Sequence, residues 1–204
     1  MGCDFAIETG LRADGYMRIA GVDEAGRGPL AGPVSVAAVI LPVGYESAVL
    51  NDSKKLTEKK RELLFEEITN DERIEWHCEL IEPAEIDELN ILGATHAGMR
   101  RCVEALGGVD MALIDGLAVK NFPVEQQAIV KGDGKSYSIA AASIIAKVTR
   151  DRLMLAYDKQ FPQYGFARHK GYPTKAHMEA LRTYGPCPIH RRSFAPVAQL
   201  DLPL

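Results

Sequence analysis

Four carboxylates stand at or just past the ends of short apolar runs in this chain of 204 residues. Asp23 and Glu24 close one run, Asp115 closes another, and Asp133 follows a third in the turn KGDGK. Because strand ends gather at one edge of a sheet with α/β connections, we expect the acids to meet there. Such carboxylates repel one another unless a cation neutralises them, and oxygen ligands favour Mg²⁺ or Mn²⁺ over zinc. Two such ions about 4 Å apart commonly serve the in-line attack of water on a phosphodiester.

Each acid taken alone also has a structural explanation. Asp23 could cap a turn, and Glu24 could pair with Arg27. Asp115 stands before a glycine, a common end for a strand, and Asp133 fits a turn between two glycines. The repetition of an acid at a strand end is what favours the metal-binding interpretation.

The triplet Gly26-Arg27-Gly28 follows the first acid pair. Glycines permit positive φ and close backbone approach, which suits a tight hairpin. They would equally let backbone N–H groups reach a sugar hydroxyl or a phosphate, with Arg27 adding charge. The triplet alone leaves both interpretations open.

Charge is distributed unevenly along the chain. The net charge is only −4, but residues 1–130 hold 12 basic and 23 acidic residues, whereas residues 131–192 hold 12 basic and 4 acidic ones. The later segment would form a basic surface suited to a polyanion, or simply a solvated basic face.

The composition bounds the class of protein. Four scattered cysteines without a C-x-x-C pair argue against a zinc site or a disulfide framework. No run of about 18 apolar residues predicts a membrane span, and the charged first twenty residues do not resemble a signal peptide. We therefore expect a cytoplasmic protein, with a monomer as the default state.

The periodicity predicts elements that would position the acids. Thr57 suits the start of a helix with Leu63, Leu64 and Ile68 on its buried face. Strands are expected at 18–23, 34–41, 73–81, 109–115 and 127–130. Helices are expected at 57–69, 83–106 and 138–160, and a last one from Thr174. The third helix should contribute to the core with Ile144, Ile145, Val148, Leu153 and Leu155. This order indicates a mixed sheet with helices on its faces and an appended helical lobe.

Several long motifs together resemble one family, bacterial type 2 ribonuclease H (ribonuclease HII), over residues 18–198. The motifs are GVDEAGRGPLAGPV, NDSKKLTEKKR, IDELNIL, LIDG, VKGDGKSYSIAAASIIAKVTRDR, FPQYGFARHKGYPT and HRRSFAPV. The resemblance implies an α/β, ribonuclease H-like fold: a five-stranded mixed sheet flanked by helices, with a helical C-terminal extension.

The resemblance also implies an activity. Members of the family hydrolyse the RNA strand of RNA–DNA hybrids with divalent metal ions and leave 5′-phosphate and 3′-hydroxyl ends. They cut on the 5′ side of a single ribonucleotide embedded in duplex DNA, which starts ribonucleotide excision repair, and they serve RNA primer removal.

Carried over residue by residue, the family's metal ligands fall on Asp23, Glu24, Asp115 and Asp133. Its G-R-G element, Gly26, Arg27 and Gly28, would read the 2′-hydroxyl through backbone contacts. Its substrate-reading tyrosine falls on Tyr172, whose ring would pack on the deoxyribose 3′ of the ribonucleotide. Without the resemblance, a core-packed ring would be the expectation for Tyr172.

Further candidates for phosphate contacts are mostly cationic. Each could instead be a solvated charge, and the serine could simply pack in a helix. The set comprises Lys54, Lys55, Ser143, Lys147, Arg150, Arg191 and Arg192.

The resemblance divides the chain into three parts. Residues 1–17 match no motif and leave no room for the extra N-terminal domain of ribonuclease HIII. Residues 18–198 form the catalytic domain, with its helical lobe at about 138–198. Residues 199–204 form a tail.

The tail, QLDLPL, resembles the peptide that binds the bacterial sliding clamp. An extended tail could place Gln199, Leu202 and Leu204 in an apolar groove, with Pro203 lowering the cost of ordering. A six-residue match also arises by chance, and frayed apolar C-termini are common.

Two other functions compete with a ribonuclease. A junction-resolving or transposase-like DNA nuclease would share the acid cluster but would not explain Tyr172 together with Gly26 and Gly28. The second is a catalytically silent nucleic-acid-binding module. Loss of any one of the four acids would favour it, and all four are present.

Overall fold

The computed structural model describes residues 3–45, 47, 50 and 56–200. Its strands are β1 (Ile19–Ala25), β2 (Val34–Ile40), β3 (Glu75–Ile81), β4 (Met111–Asp115) and β5 (Glu125–Ile129). Its helices are α1 (Ala6–Ala13), α2 (Glu58–Asn70), α3 (Pro83–Leu106), α4 (Tyr137–Gln160), α5 (Phe166–His169), α6 (Lys175–Tyr184) and α7 (Ala195–Ala198). Thr57 caps α2 by accepting the Lys60 amide, as predicted.

The five strands form one mixed sheet in the order β3-β2-β1-β4-β5. β1, β2 and β3 pair antiparallel, whereas β4 pairs parallel with β1 and β5 parallel with β4. The predicted mixed sheet flanked by helices is confirmed. Because β1, β4 and β5 run in the same direction, their carboxyl ends lie at the same edge of the sheet.

Helices cover both faces of the sheet. α3 packs Met99, Cys102 and Val103 on one face, and the alanine-rich start of α4 packs on the other. At Gly21 the backbones of β1 and α4 nearly touch, since an added Cβ would lie 2.0 Å from the Ser138 carbonyl carbon. Side chains alternate along a strand, so Asp23 lies on the α4 face, near that helix's N-terminus.

The helical lobe begins later than predicted. α4, which the sequence analysis assigns to the lobe, packs against β1 and β2 and so belongs to the α/β layers. The extension after Gln160 has its own small core, which includes Tyr164, Phe166 and Ile189. None of the helices in the described residues is long and apolar enough to span a membrane.

Three predicted core positions are wrong or only half right. Leu63 is 62% exposed, while Leu64 and Ile68 are buried as expected. In α4, Leu155 is exposed and Leu153 half-buried, and Met154 occupies the core instead. The apolar stripe alone does not decide which side of a helix faces the sheet.

The predicted second helix is broken. Asn90 has φ 59° inside α3, so two helical segments meet there at a kink. Its Oδ1 accepts the amides of Leu92 and Gly93 and thereby caps the second segment. Asparagine tolerates this conformation and suits a cap, which makes the break compatible with the sequence.

Candidate active site

The four predicted acids gather at the carboxyl edge of β1, β4 and β5. Asp23 and Glu24 lie among the last three residues of β1, Asp115 ends β4, and Asp133 lies in a 3₁₀ turn after β5. The Gly132 amide donates to Asp115 Oδ1 at 2.6 Å and joins the last two segments. Their predicted positions at strand ends are confirmed.

The acids interact electrostatically. Asp23 is 6% exposed. Its pKa is held well above the usual range by burial, and further by the charges of Glu24, Asp115 and Asp133. The Glu24 amide donates to Asp23 Oδ1 at 2.7 Å and partly opposes this effect. A buried carboxylate among like charges is an arrangement that a bound cation would stabilise.

A cleft of about 340 Å³ opens beside the acids. Its walls combine acidic, cationic and apolar groups. The lining residues are Asp23, Glu24, Ala25, Gly26, Arg27, Gly28, Arg61, Asp133, Ser143, Lys147, Arg150 and Tyr172. The cleft therefore brings together most of the predicted site, although Asp115 is not among its lining residues.

Arg61 is a cleft residue that the sequence analysis missed. It lies on α2 and donates to the Leu56 carbonyl. The motif NDSKKLTEKKR, which ends at this arginine, was the available signal. Lys54 and Lys55 of the same motif lie outside the described residues.

Other cationic candidates make local contacts. Arg27 pairs with Glu24 at 3.2 Å, and Lys147 pairs with Asp151 at 2.8 Å. Ser143 is buried and donates to the Ala140 carbonyl within its own helix. Arg27 and Lys147 thus line the cleft as members of ion pairs.

Arg150 and Arg191, two of the predicted phosphate contacts, are fully buried, and their guanidinium groups bind backbone carbonyls. Arg150 donates to the carbonyls of Ala31, Pro33 and Lys170. Arg191 donates to the carbonyls of Gly26, Arg27 and Gly32 at 2.6–3.0 Å. Burial lowers the pKa of both groups, to about 10 and about 9, so both stay charged near neutral pH.

These two arginines shape the loop between β1 and β2. Gly26 has φ 96°, and an added Cβ there would lie 2.0 Å from Arg150 Nε. Glycine is therefore required both for the backbone conformation and for the close approach of the guanidinium. The loop has its conformation because buried cations hold its carbonyl groups.

Tyr172 lines the same cleft as Asp23, Glu24 and Asp133. It is 43% exposed, and its Cε1 would lie 3.4 Å from a Cβ added at Gly28. The ring is therefore not core-packed, which was the alternative expectation, and it borders the glycine-rich loop. Its carbonyl accepts the Thr174 amide at 2.8 Å.

Two buried histidines support Tyr172 from behind. His177 Nδ1 donates to the Tyr172 carbonyl at 2.9 Å, so its Nε2 must accept from His190 Nε2 at 3.1 Å. His190 Nδ1 in turn accepts the Cys187 amide at 3.0 Å. Each ring thus has one neutral tautomer, and an added proton would set two donors against each other.

We predict an acid-sensitive fold from this pair. Burial lowers the pKa of both histidines, that of His190 to about 4 with His177 as a further cause. Below about pH 6.5 the unfolded chain binds protons that the folded chain excludes, so stability falls as pH drops from about 6.5 to about 4. We expect this pair to contribute about 2 kcal/mol to that loss. Urea denaturation of the wild type and of His190→Gln, at several pH values, measures it.

His190→Gln should be less stable than the wild type at pH 7, but its free energy of unfolding should fall less steeply as the pH is lowered. His77→Gln, a substitution on the edge strand β3, serves as the control and should keep the wild-type slope. An unchanged slope in His190→Gln would contradict the assignment.

The remaining predicted residues lie away from the cleft. Arg192 is exposed, and its amide donates to Asp87. Gln199 is exposed at the C-terminal end of α7, whereas Leu202 and Leu204 lie outside the described residues. Among the residues that are described, no three His, Cys, Asp or Glu side chains are already spaced to hold one metal ion.

Comparison with known proteins adds independent information. The family model for ribonuclease HII matches residues 20–197. A ribonuclease HII of Acetivibrio thermocellus is 58% identical over 181 residues, which are 88% of this chain and 70% of the relative. The matched range includes every cleft residue named above, while α1 lies outside it.

Two solved structures share the fold. Ribonuclease H2 from Pyrococcus horikoshii OT3 is 28% identical with a TM-score of 0.71, covering 91% of this chain and 97% of that one. The ribonuclease HII of Archaeoglobus fulgidus, solved in a complex with PCNA, is 25% identical with a TM-score of 0.69, covering 91% and 98%.

Proposed function

The chain belongs to the ribonuclease HII family and is a ribonuclease H that acts on RNA–DNA hybrids, and we propose that it also cuts duplex DNA on the 5′ side of a single ribonucleotide. The products would carry 5′-phosphate and 3′-hydroxyl ends. This activity would serve ribonucleotide excision repair and RNA primer removal in the bacterial cytoplasm. The observation that carries the proposal is that three of the acids, the glycine-rich loop and Tyr172 line the same cleft.

We propose that Asp23, Glu24, Asp115 and Asp133 hold divalent metal, Mg²⁺ or Mn²⁺, with two ions present when substrate is bound. The donor set fits, since it offers carboxylate oxygens alone and places one of them, Asp23, among like charges. The ions would polarise the phosphodiester and activate water. The acids would draw together on binding, because they are not spaced for an ion beforehand.

The loop at Gly26–Gly28 would read the ribose. Arg191 binds the carbonyls of Gly26 and Arg27 from inside the protein. In a trans peptide the N–H points opposite to its carbonyl, so the amides of Arg27 and Gly28 face away from Arg191. They are thereby oriented as donors for a 2′-hydroxyl, the group that distinguishes RNA from DNA.

The apolar ring of Tyr172 would contact the sugar 3′ of the ribonucleotide. Amides that bind a 2′-hydroxyl, next to an apolar ring that contacts the following sugar, would select a ribonucleotide followed by a deoxyribonucleotide. Arg27, Arg61 and Lys147 would supply positive charge for the flanking phosphates, which fix register without reading sequence.

The test is cleavage of a duplex that contains one ribonucleotide, with Mg²⁺ and then with Mn²⁺. An all-DNA duplex and a continuous RNA–DNA hybrid serve as substrate controls, and Asp115→Asn keeps the acceptor for Gly132 while removing the charge. We expect one cut 5′ of the ribonucleotide, absent in the variant. Tyr172→Ala should lose at least about tenfold on the junction, whereas Tyr172→Phe should not. Cleavage of the all-DNA duplex would favour a DNA nuclease, and binding without cleavage would favour the silent module.

A second proposal concerns the tail. A structural relative from Archaeoglobus fulgidus was solved in complex with PCNA, and Gln199 is exposed where α7 ends. We propose that Gln199, Leu202 and Leu204 bind the bacterial sliding clamp. Deleting residues 199–204 should abolish capture on immobilised clamp and leave cleavage of the free duplex unchanged. Capture that survives the deletion would exclude this role for the tail.

A further inference from the structure

The N-terminal helix α1 lies outside the residues that match the family model, yet it contacts the start of α4, which directly follows the turn that carries Asp133. Glu8, in the middle of α1, has no exposed surface. Its Oε1 accepts the Ser136 hydroxyl at 2.7 Å and the Ser138 amide at 2.9 Å. A carboxylate loses its hydration in such a position, so its retention there calls for a specific reason.

The reason lies in what Glu8 binds. Ser136 is the N-cap of α4, and its hydroxyl oxygen accepts the Ile139 amide at 3.2 Å. Glu8 therefore completes a cap: it accepts the hydrogen bond of the Ser136 hydroxyl, which leaves the hydroxyl oxygen free to accept the Ile139 amide, and it accepts the Ser138 amide of the first turn. A negative charge at this end of a 24-residue helix is also favoured by the helix dipole.

The backbone before Glu8 adds a second attachment. Asp4 forms a parallel bridge with Ser136, and its carbonyl accepts the Tyr137 amide at 3.2 Å. Phe5 packs edge-on against Tyr137, with ring centroids 5.2 Å apart. The segment before α4 is thus held by the N-terminal segment as well as by the sheet.

The same short segment carries Asp133. The amides of Lys135 and Ser136 both donate to the Gly132 carbonyl at 2.9 Å, and the Gly132 amide donates to Asp115. A movement of Ser136 would therefore disturb the turn that holds Asp133 and, through Gly132, the hydrogen bond to Asp115.

We propose that Glu8 is a positioning residue for the active site, which fixes the start of α4 and through it the turn that holds Asp133. The inference rests on the proposed role of Asp133 in holding metal. When a residue that orients a metal ligand is removed, metal affinity or activity typically falls by about 10–100-fold.

The test uses the full chain and the variants Glu8→Ala and Ser136→Ala. Leu64→Ala, a core truncation in α2, serves as a control for general loss of stability. Hydrogen exchange of residues 132–139 is measured without metal, and cleavage is measured against Mn²⁺ concentration. Both test variants should exchange faster in this segment and need at least about tenfold more Mn²⁺ for half-maximal rate. The control should keep the wild-type Mn²⁺ dependence, and any faster exchange in it should not be confined to this segment.

Two results would overturn the inference. One is wild-type exchange and wild-type Mn²⁺ dependence in Glu8→Ala; the other is a change in Mn²⁺ dependence that Leu64→Ala reproduces. If Glu8→Ala does not fold, Ser136→Ala decides by the same criteria. Failure of the proposed metal role of Asp133 is distinguishable, because Asp133→Asn would then cleave with the wild-type dependence on Mn²⁺ whatever the Glu8 variants do.

Discussion

Replacing Asp23 with asparagine should abolish cleavage and yet make the metal-free protein more stable. Asparagine has nearly the shape of aspartate and can still accept the Glu24 amide, so the backbone at the end of β1 should not move. It lacks the charge that a metal would need, and we expect cleavage to fall by at least about a thousandfold. Asp23 is the natural choice because it is buried among other acids, and burial together with their charges holds its pKa well above the usual range.

The gain in stability has the same origin as the loss of activity. The pKa of Asp23 is raised by burial and by three neighbouring acids, so its ionised form destabilises the fold at neutral pH. Removing the charge should add about 1–2 kcal/mol to the free energy of unfolding without metal. For a chain of this size, that corresponds to an increase in Tm of about 2–8 °C.

Thermal unfolding in EDTA and then in Mn²⁺ checks both halves of the prediction. In EDTA the Tm of the wild type should be lower than that of Asp23→Asn. Adding Mn²⁺ should raise the Tm of the wild type and change that of the variant little. Asp14→Asn, the same chemical change at an exposed position, should match the wild type in both buffers. A variant that is inactive but less stable than the wild type in EDTA would mean that Asp23 contributes to structure rather than to a metal site.

The positions of the acids were predictable because two local signals coincide. An apolar run marks a buried strand, and an acid at its end breaks the run, so the sequence indicates both the strand and the edge. Asp133 required only that the turn KGDGK follow a strand. The metal role of these residues stays a prediction, while their location at one edge of the sheet is confirmed.

The buried charges were not predictable in the same way. Arginine and glutamate are almost always exposed, and the partners of Arg191 are backbone carbonyls 159–165 residues earlier in the chain. Glu8 contacts residues 128 and 130 positions away. The carbonyl partners of Arg191 have no side-chain signature, and Glu8 binds a serine hydroxyl and an amide far along the chain, so no local pattern in the sequence pairs these residues.

The largest structural effect should come from Arg191→Ala. Three carbonyls in the loop between β1 and β2 would lose a charged donor, and their burial leaves little room for water to replace it. We expect the free energy of unfolding to fall by about 3–5 kcal/mol, since each unsatisfied carbonyl costs about 1–3 kcal/mol and relaxation recovers part. Cleavage should fall by about a hundredfold or more, because the peptide planes of Gly26 and Arg27 would lose their orientation. Denaturant unfolding and single-turnover cleavage measure the two effects.

Arg192 is the matched control, because it is the adjacent arginine, is exposed, and is also a predicted phosphate contact. Arg192→Ala should leave stability within about 0.5 kcal/mol. If Arg192 contacts a phosphate, the plot of log affinity against log salt should lose about one unit of slope. Arg191→Lys separates charge from geometry, since one ammonium cannot reproduce a fork that reaches three carbonyls, and we expect it to behave nearly as alanine does. The opposite pattern, with Arg191→Ala stable and altered in salt dependence, would return Arg191 to the nucleic-acid surface. It would also contradict the argument that buried Arg191 fixes the conformation in which the glycine-rich loop would bind the 2′-hydroxyl.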